Sequence, residues 1–299
     1  MRDPDKSKKG VAASGAEDKS RTMPPAYAYM LRCADGSLYS GWTNDLARRV
    51  RAHTTGKGAK YTRAHHGEAL AYAERCADKS EAMRREAALK ALTKGEKEAL
   101  AAVWAEENAV TIRPATPEDA GNVAALYNWY VGHSTATFQY NLATENDYCE
   151  LIASVLQTTP FLVAYNAAGV LCGYAYAHPW HDRGAYAWDV ETTVYLSPDR
   201  LGLGLGRRLY TALLAVLKRQ GYYNALALIA HPNPASEAFH KAMGFIRYGV
   251  EPRTGYKFGE WLGLGYWILP LHPGTGKPAP VKLKLEEKEL EKILEAANR

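Results

Sequence analysis

The chain has 299 residues, of which 47% are hydrophobic and 23% are charged, with a formal net charge of +5. This length favours two domains that each bury a core, and four scattered cysteines without a C-x-x-C pair argue against a disulfide framework or a zinc site. No apolar run approaches the roughly 20 residues of a membrane-spanning helix, so we expect a cytoplasmic protein without membrane contact.

Residues 1–24 are expected to be a disordered tail, because they carry charges at each end and lack the apolar stretch of a secretory signal. Two β-type runs follow at 26–33 and 37–42. The Asp35-Gly36 pair between them is a strong hairpin signal. A hairpin is therefore predicted to open the first domain.

Helical patterns complete this first part of the chain. Asn44 is predicted to cap one helix and Ser80 another, because both side chains can accept a backbone N–H at a helix start. A further alanine-rich helix is expected at 93–103. We therefore predict a first domain at 25–105 and a linker at 106–109.

A second domain is predicted at 110–272. It opens with a β-type run at 110–113, and the next segment, TPED, combines a helix cap, an N1 proline and an acidic first turn. Strands are expected at 160–165, 170–178, 185–195 and 225–230, and helices at 204–220 and 234–243. Residues 273–299 are predicted to be a linker and a short charged helix.

The positive charge is concentrated in the first domain. Residues 25–104 hold 14 Lys and Arg against 9 Asp and Glu, whereas residues 110–272 hold 11 against 12. Attraction to a polyanion is a local property of a surface. Only the first domain is therefore a candidate for nucleic-acid binding.

A glycine-rich run, LGLGLGRRL, spans 201–209 between a β-type run and an amphipathic helical pattern. Glycines let backbone N–H groups approach a pyrophosphate closely, and a helix N-terminus supplies oriented donors. A plain strand-to-helix turn would use the same residues, so this run alone leaves the function open.

The motifs around this run resemble the GNAT acetyltransferase superfamily, and most of all its phosphinothricin-type N-acetyltransferases. They are TIRPATPEDA, FLVAYNAAGVLCGYAYAHPW, AYAWDVETTVYLSPDRLGLGLGRRLY, HPNPASEAFHKAMGF and the closing GYWILPL. The resemblance implies transfer of an acetyl group from acetyl-CoA to the amine of a small amino acid-like substrate, such as phosphinothricin or methionine sulfoximine. A protein amine as acceptor is the alternative.

The resemblance also implies roles for single residues. Glu191 falls at the family's general base, and His240 stands where many relatives have a tyrosine that protonates the departing thiolate. A solvent-facing carboxylate and a packed histidine are the structural alternatives. Leu201 replaces the usual Gln or Arg of the loop, which puts one pyrophosphate contact in doubt. The coenzyme A contacts implied are Val194, Leu201, Gly202, Gly204, Gly206, Arg207, Asn233 and Ser236.

Six aromatic side chains suggest an acceptor pocket, although core packing would use them as well. They are Trp129, Tyr130, Phe138, Trp180, Tyr186 and Trp188. Arg183 is a candidate for binding an acceptor carboxylate through its planar guanidinium, or else it is an exposed loop residue. A homodimer through this domain is left open. The acceptor-site candidates are Phe138, Trp180, Arg183 and Tyr186.

The first domain resembles the GIY-YIG nucleases over residues 26–95. The tripeptides YAY and YSG, the run TNDLARR, His53 and the glutamate of RREAALK carry this resemblance. The fold class expected for the whole chain is α+β. A small GIY-YIG α/β domain with a short antiparallel sheet and helices precedes a GNAT α+β domain whose sheet is mixed and mostly antiparallel.

By resemblance, this domain would be a metal-dependent DNA endonuclease. Glu86 would hold Mg²⁺ or Mn²⁺, Arg49 would contact phosphate, and Tyr29 and Tyr39 would orient or deprotonate water. The alternative is a DNA-binding module that has lost its chemistry and localises the transferase. A basic segment is expected to contact DNA through Lys57, Lys60, Tyr61 and Arg63, with a solvated turn as its structural alternative.

Overall fold

The computed structural model describes residues 26–201, 203–274 and 276–298. They form a three-stranded sheet near the N-terminus and a seven-stranded sheet after it, both flanked by helices, so the predicted α+β class is confirmed. The tail expected at 1–24 lies outside the described residues. None of the helices in the described ranges is long and apolar enough to cross a membrane.

The N-terminal sheet is antiparallel, with β1 paired to both β2 and β3. The predicted hairpin is present, and its turn residue Gly36 has a φ of +75°. The elements are β1 (Ala26–Cys33), β2 (Leu38–Thr43), α1 (Leu46–Thr54), α2 (Lys60–His65), β3 (Gly67–Cys76), α3 (Lys79–Ala91) and α4 (Lys94–Glu107).

Both predicted helix caps in this domain are wrong by one or two residues. Asp45, not Asn44, caps α1 by accepting the N–H of Arg48, and Asp78, not Ser80, caps α3. In each case an aspartate precedes the first helical residue, so its carboxylate reaches the free N–H groups.

The boundary between the two parts of the chain also differs from the prediction. The helix α4 extends through Glu107, so the first two residues of the predicted 106–109 linker are helical, and Asn108 is the C-cap residue. The next strand begins at Val110. The chain therefore passes from helix to strand with almost no intervening loop.

The larger sheet has the order β4-β5-β6-β7-β8-β10-β9. Among the strands that the structure describes, only β7 and β8 pair in parallel, which confirms a mixed, mostly antiparallel sheet. Its elements are β4 (Val110–Pro114), α5 (Ala120–His133), α6 (Glu145–Val155), β5 (Phe161–Asn166), β6 (Leu171–Pro179), β7 (Asp189–Leu196), α7 (Leu205–Gln220), β8 (Asn224–His231), α8 (Pro234–Ala242), β9 (Ile246–Lys257), β10 (Glu260–Pro270) and α9 (Glu287–Asn298).

The predicted charged C-terminal helix is α9, and it packs on the larger domain. Its apolar side chains Ile293 and Leu294 join the core formed by α7 and the sheet. The side-chain amide of Asn298 accepts the N–H of Ile112 at 2.7 Å and donates to its carbonyl at 2.9 Å, so α9 covers the edge strand β4. This segment therefore belongs structurally to the second sheet.

Candidate functional site

The strands β7 and β8 form a fork in the middle of the larger sheet. They pair in parallel only from Asp189 opposite Asn224 to Glu191 opposite Leu226. Beyond these positions β7 pairs only with β6, and β8 only with β10, within the described chain. Backbone donors and acceptors of both strands therefore line an open cleft that starts at Glu191.

The carboxyl group of Glu191 lies at the base of this fork. Its side chain is 24% exposed, and burial raises its pKa, whereas His178 on the neighbouring strand lowers it. The two residues are register partners in the β6–β7 ladder. The predicted base is therefore a partly buried carboxyl whose environment favours the proton more than water does.

The glycine loop ends at the N-terminus of α7. Gly204 is the N-cap residue with a left-handed φ of +85°, and no side chain caps this helix. A helix N-terminus without a cap leaves backbone N–H groups for an anion. A Cβ on Gly206 would lie 3.1 Å from Leu196, so this turn also packs closely on β7. Gly202 lies outside the described residues, and the side chain of Arg207 is exposed.

Two leucines of the loop face different surroundings. Leu201 is 51% exposed, whereas Leu203 packs against the N-terminal domain at a cluster of Tyr29, Leu31 and Leu46. The guanidinium of Arg200, just before the loop, also donates to the side chain of Asn108 at the junction of the domains. No pattern along the chain predicted this contact between the domains.

The loop that opens α8 holds the remaining predicted cofactor residues. The Oδ1 of Asn233 accepts the N–H of Ser236 and caps this helix. His240 lies one turn further on, and its Nδ1 donates to the Ser236 carbonyl at 2.9 Å. Burial lowers the pKa of His240 to about 4, so this imidazole is neutral near pH 7. Val194 lies near the C-terminal end of β7, where its side chain is half-buried.

The predicted acceptor residues fall into two groups. Trp180 and Tyr186 lie in the loop between β6 and β7, each with its ring 4.7 Å from that of His181, and Arg183 in the same loop is exposed. Phe138 packs instead on β9, where a Cβ on Gly255 would lie 2.6 Å from its ring.

Three other aromatic side chains of the expected pocket have structural partners. The hydroxyl of Tyr130 donates to the Leu196 carbonyl at 2.7 Å, and the indole of Trp188 donates to the Ala279 carbonyl at 2.8 Å. The ring of Trp129 stacks on His133. These contacts support the packing alternative for all three.

Sequence reasoning missed Lys257 beside Phe138. Its side chain is buried, and its ammonium donates to the carbonyls of Ser134 and Thr137 at 2.9 and 2.8 Å. Burial lowers the pKa of this lysine. These bonds could not be predicted, because Lys257 reaches the loop before Phe138 only through the pairing of β9 with β10.

The predicted nuclease residues converge around the buried hydroxyl of Tyr29. It accepts a hydrogen bond from the Nε of Arg49 at 3.0 Å and lies 2.9 Å from the Nε2 of His53. Thr62 donates to the Ala59 carbonyl, so the Nδ1 of His53 donates to Thr62 and its Nε2 accepts from Tyr29.

Burial sets the protonation of this network. It raises the pKa of Tyr29 to about 12, and together with the charge of Arg49 it lowers the pKa of His53 to about 4. Both groups are therefore neutral near pH 7. Gly41 of the second tripeptide has no room for a side chain, because a Cβ there would lie 2.5 Å from the Tyr29 oxygen. The part that His53 plays in this network was not predicted.

Tyr39 and Glu86 lie beside this network. The ring of Tyr39 is 6.4 Å from that of Tyr29 and 5.2 Å from that of His53. The Glu86 carboxylate pairs with the Lys90 ammonium at 2.8 Å, and its charge acts on Tyr29. The structure therefore brings together the four residues predicted to do nuclease chemistry.

Most of the basic segment that is expected to contact DNA forms the short helix α2, so it is not a simple turn. Lys60 and Arg63 are exposed on it, and Lys57 is exposed just before it. Tyr61 is 43% exposed, but its ring stacks on His65 at 4.3 Å, so a base would have to compete for that face. A cavity of about 520 Å³ also opens beside Arg49, lined by Trp42, Thr43, Asn44, Arg48, Arg49 and Ala52.

Comparison with protein families gives two matches that divide the chain in the same way as its sheets. A profile described as the acetyltransferase (GNAT) domain matches residues 112–263, which is slightly more than half of the chain. A profile described as the GIY-YIG catalytic domain matches residues 25–99.

Several characterised proteins resemble the larger part. A phosphinothricin N-acetyltransferase of Streptomyces viridochromogenes is 40% identical over 177 residues, covering 58% of this chain and 96% of that protein. An L-methionine sulfoximine/L-methionine sulfone acetyltransferase of Pseudomonas aeruginosa is 36% identical, covering 56% of this chain and 98% of that protein.

A solved structure is also similar over the same part. The GNAT superfamily phosphinothricin acetyltransferase from Sinorhizobium meliloti, in complex with acetyl-CoA, superposes with a TM-score of 0.55 and 32% identity. The match covers 57% of this chain and 94% of that one.

Proposed function

This chain belongs to the GNAT acetyltransferase family and has a GIY-YIG domain at its N-terminus, and we propose that its larger part moves an acetyl group from acetyl-CoA to the amine of a small amino acid-like substrate. The carrying observation is the fork between β7 and β8, with the Glu191 carboxyl at its base. Relatives named for phosphinothricin and methionine sulfoximine support the acceptor class.

The fork and the start of α7 fit acetyl-CoA. The unpaired backbone between β7 and β8 offers hydrogen bonds to an extended amide-containing arm, and the uncapped N-terminus of α7 offers N–H donors to its pyrophosphate. These contacts use the main chain, so Leu201 in place of a polar residue does not prevent them. Bound in this way, acetyl-CoA supplies the acetyl group as a thioester at the fork.

Glu191 has the task of removing a proton from the acceptor ammonium, because only a neutral amine can attack the thioester. A carboxyl with a raised pKa holds that proton better than an ordinary one does. The neutral His240 has no imidazolium proton to give near pH 7. We therefore assign the base to Glu191 and give His240 a hydrogen-bonding role beside Ser236.

The acceptor site is proposed at the Glu191 end of the fork, in the loop between β6 and β7 that leads into Asp189. Trp180 and Tyr186 would flank the substrate, and the exposed guanidinium of Arg183 suits a carboxylate in the bidentate manner. Phe138, whose ring packs on Gly255 and which follows the Thr137 carbonyl bound by Lys257, would close the other side.

The pH dependence of acetyl transfer tests this proposal. Glu191 acts as a carboxylate, which is present above its raised pKa and is lost as the pH falls through that pKa. We expect kcat, measured by thiol release from acetyl-CoA, to fall on the acid side at a higher pH than an ordinary glutamate would give. Two acceptors with different amine pKa values serve as the control. An acid limb that follows the amine pKa would contradict the assignment.

For the N-terminal domain we propose metal-dependent hydrolysis of DNA phosphodiesters. The supporting observation is the convergence of Tyr29, Arg49, Tyr39 and Glu86 beside a basic cavity. In the state described, the phenol of Tyr29 donates toward the neutral His53. His53 would therefore orient the Tyr29 phenol by accepting its hydrogen bond, while the Arg49 guanidinium donates to the same oxygen and favours its phenolate form.

The residues fit one Mg²⁺ or Mn²⁺ ion held by Glu86. The described ranges hold no group of three His, Cys, Asp or Glu side chains that could form a fuller site. Mg²⁺ commonly binds through one or two carboxylates, waters and substrate phosphates. The Glu86 carboxylate pairs with the Lys90 ammonium at 2.8 Å, a partner that the metal ion would have to replace. The ion would supply stabilisation of charge on the phosphate.

A second candidate for this domain is DNA binding without cleavage. The exposed Lys57, Lys60 and Arg63 would support binding whether or not the chemistry survives. The pairing of Glu86 with Lys90 favours this alternative, because it neutralises the one carboxylate proposed to hold the ion. The Glu86→Ala variant separates cleavage from binding, because it removes the carboxylate and leaves the basic side chains in place.

A further inference from the structure

His178 lies directly across the β6–β7 ladder from Glu191. Its Nε2 is 3.8 Å from the Oε2 of Glu191, and its Nδ1 is 3.0 Å from the Pro179 carbonyl. A carbonyl can only accept, so the Nδ1 carries a hydrogen and the neutral ring presents a lone pair on Nε2 to the carboxyl. The ring is therefore oriented to accept a proton from Glu191.

Glu191 must lose a proton after every cycle of acetyl transfer, and its surroundings offer few routes. Its charge acts on three phenols, Tyr176 on β6, Tyr210 on α7 and Tyr266 on β10. Burial, and then the charge of Glu191, raise the pKa of Tyr176 to about 12 and that of Tyr210 further. These phenols therefore stay neutral near pH 7, and a neutral phenol oxygen is far less basic than an imidazole nitrogen.

The exposed fractions indicate the direction of the route. The side chain of Glu191 is 24% exposed and that of His178 is 38% exposed, so the imidazole is the more exposed of the two groups. Tyr176, whose ring centroid is 6.1 Å from that of His178, is the other titratable side chain recorded against the imidazole within the described residues. The histidine therefore has one carboxyl partner, Glu191, and its imidazole is also in contact with solvent.

We propose that His178 is a positioning residue that takes the proton from Glu191 and passes it to solvent between cycles. The proposal rests on the acetyltransferase function proposed above. One N–H bond of the acceptor ammonium breaks as an O–H bond forms on Glu191. That O–H then breaks as an N–H forms on the Nε2 of His178, and water removes this proton. No electrons change hands.

The separation of 3.8 Å exceeds a hydrogen bond, so transfer requires the two side chains to close or to share one water molecule. Both residues lie on paired strands, which keep the side chains on the same side of the sheet. The imidazolium and carboxylate formed by the transfer attract each other, which stabilises the charged pair until water takes the proton.

The test uses the full chain, with acetyl-CoA and methionine sulfoximine, and compares the parent with His178→Gly and His178→Gln. For both variants we expect kcat to fall by about ten- to a hundredfold, with the KM for acetyl-CoA unchanged. Added imidazole should restore turnover in His178→Gly, where removal of the ring leaves space, more than in His178→Gln. The acid limb of kcat should move to higher pH, because the imidazole that lowers the pKa of Glu191 is lost.

His272→Gly is the matched control, because His272 is also partly exposed and its ring bonds a backbone carbonyl, that of Lys218. It should keep the parent turnover and ignore imidazole. Parent-like kcat in both His178 variants, or a loss with neither imidazole rescue nor a shifted acid limb, would overturn the relay. A parent that acetylates no amine would instead overturn the acetyltransferase function on which the relay rests.

Discussion

Replacing Glu191 with glutamine should lower the kcat of acetyl transfer by about two to four powers of ten, the usual contribution of a general base. The amide keeps the size and hydrogen-bonding capacity of the carboxyl but cannot take a proton. Acetyl-CoA should still bind, because its proposed contacts are made by the backbone of the fork and the N-terminus of α7.

Turnover is measured by thiol release, and acetyl-CoA affinity by titration calorimetry. Glu150→Gln makes the same chemical change on α6 and should leave both quantities at their parent values. If Glu191→Gln turned over at the parent rate near neutral pH, Glu191 would not be the base. A loss of acetyl-CoA binding would instead make this residue structural.

The second large effect is expected for Glu86→Ala in the N-terminal domain. Without this carboxylate the ion has no fixed protein ligand beside the phosphate, so nicking of supercoiled plasmid should drop to background. Binding of duplex DNA should remain, since it depends on basic side chains such as Lys57, Lys60 and Arg63. That binding should weaken steeply with added salt.

Nicking is followed on gels with Mg²⁺ or Mn²⁺, and binding is followed by fluorescence anisotropy without metal. Glu107→Ala removes the same charge from an exposed position on α4 and should cut like the parent. Equal cutting by the parent and Glu86→Ala, after contaminating nucleases are excluded, would refute the assignment. If neither protein cuts and both bind, the domain is a DNA-binding module.

Local signals in the sequence predicted much of the fold around the acetyltransferase site. The glycine run before an amphipathic segment placed the N-terminus of α7 correctly, and the uncharged surroundings of Glu191 fit a strand interior. The strands β3 and β9 were missed because charged and glycine residues interrupt their alternation. Their pairing with neighbouring strands supplies stability that the local pattern does not show.

Residues whose roles depend on strand register were beyond sequence reasoning. His178 faces Glu191 only because β6 and β7 pair with that register, and Lys257 reaches the loop before Phe138 only through the fold of β9. The contact of Leu203 with the N-terminal domain depends on how two separate cores meet. Such long-range geometry has no counterpart in spacing along the chain.

The most direct test of the proposed acetyl transfer is an acceptor screen of the full chain with acetyl-CoA. Released thiol is measured, and the acetylated product is identified by mass. We expect thiol release with small amino acid-like amines such as methionine sulfoximine or phosphinothricin. We expect no more than background release with a lysine-containing peptide, and background release for every acceptor in Glu191→Gln. Thiol release with the peptide and with none of the small amines would contradict the proposed acceptor class.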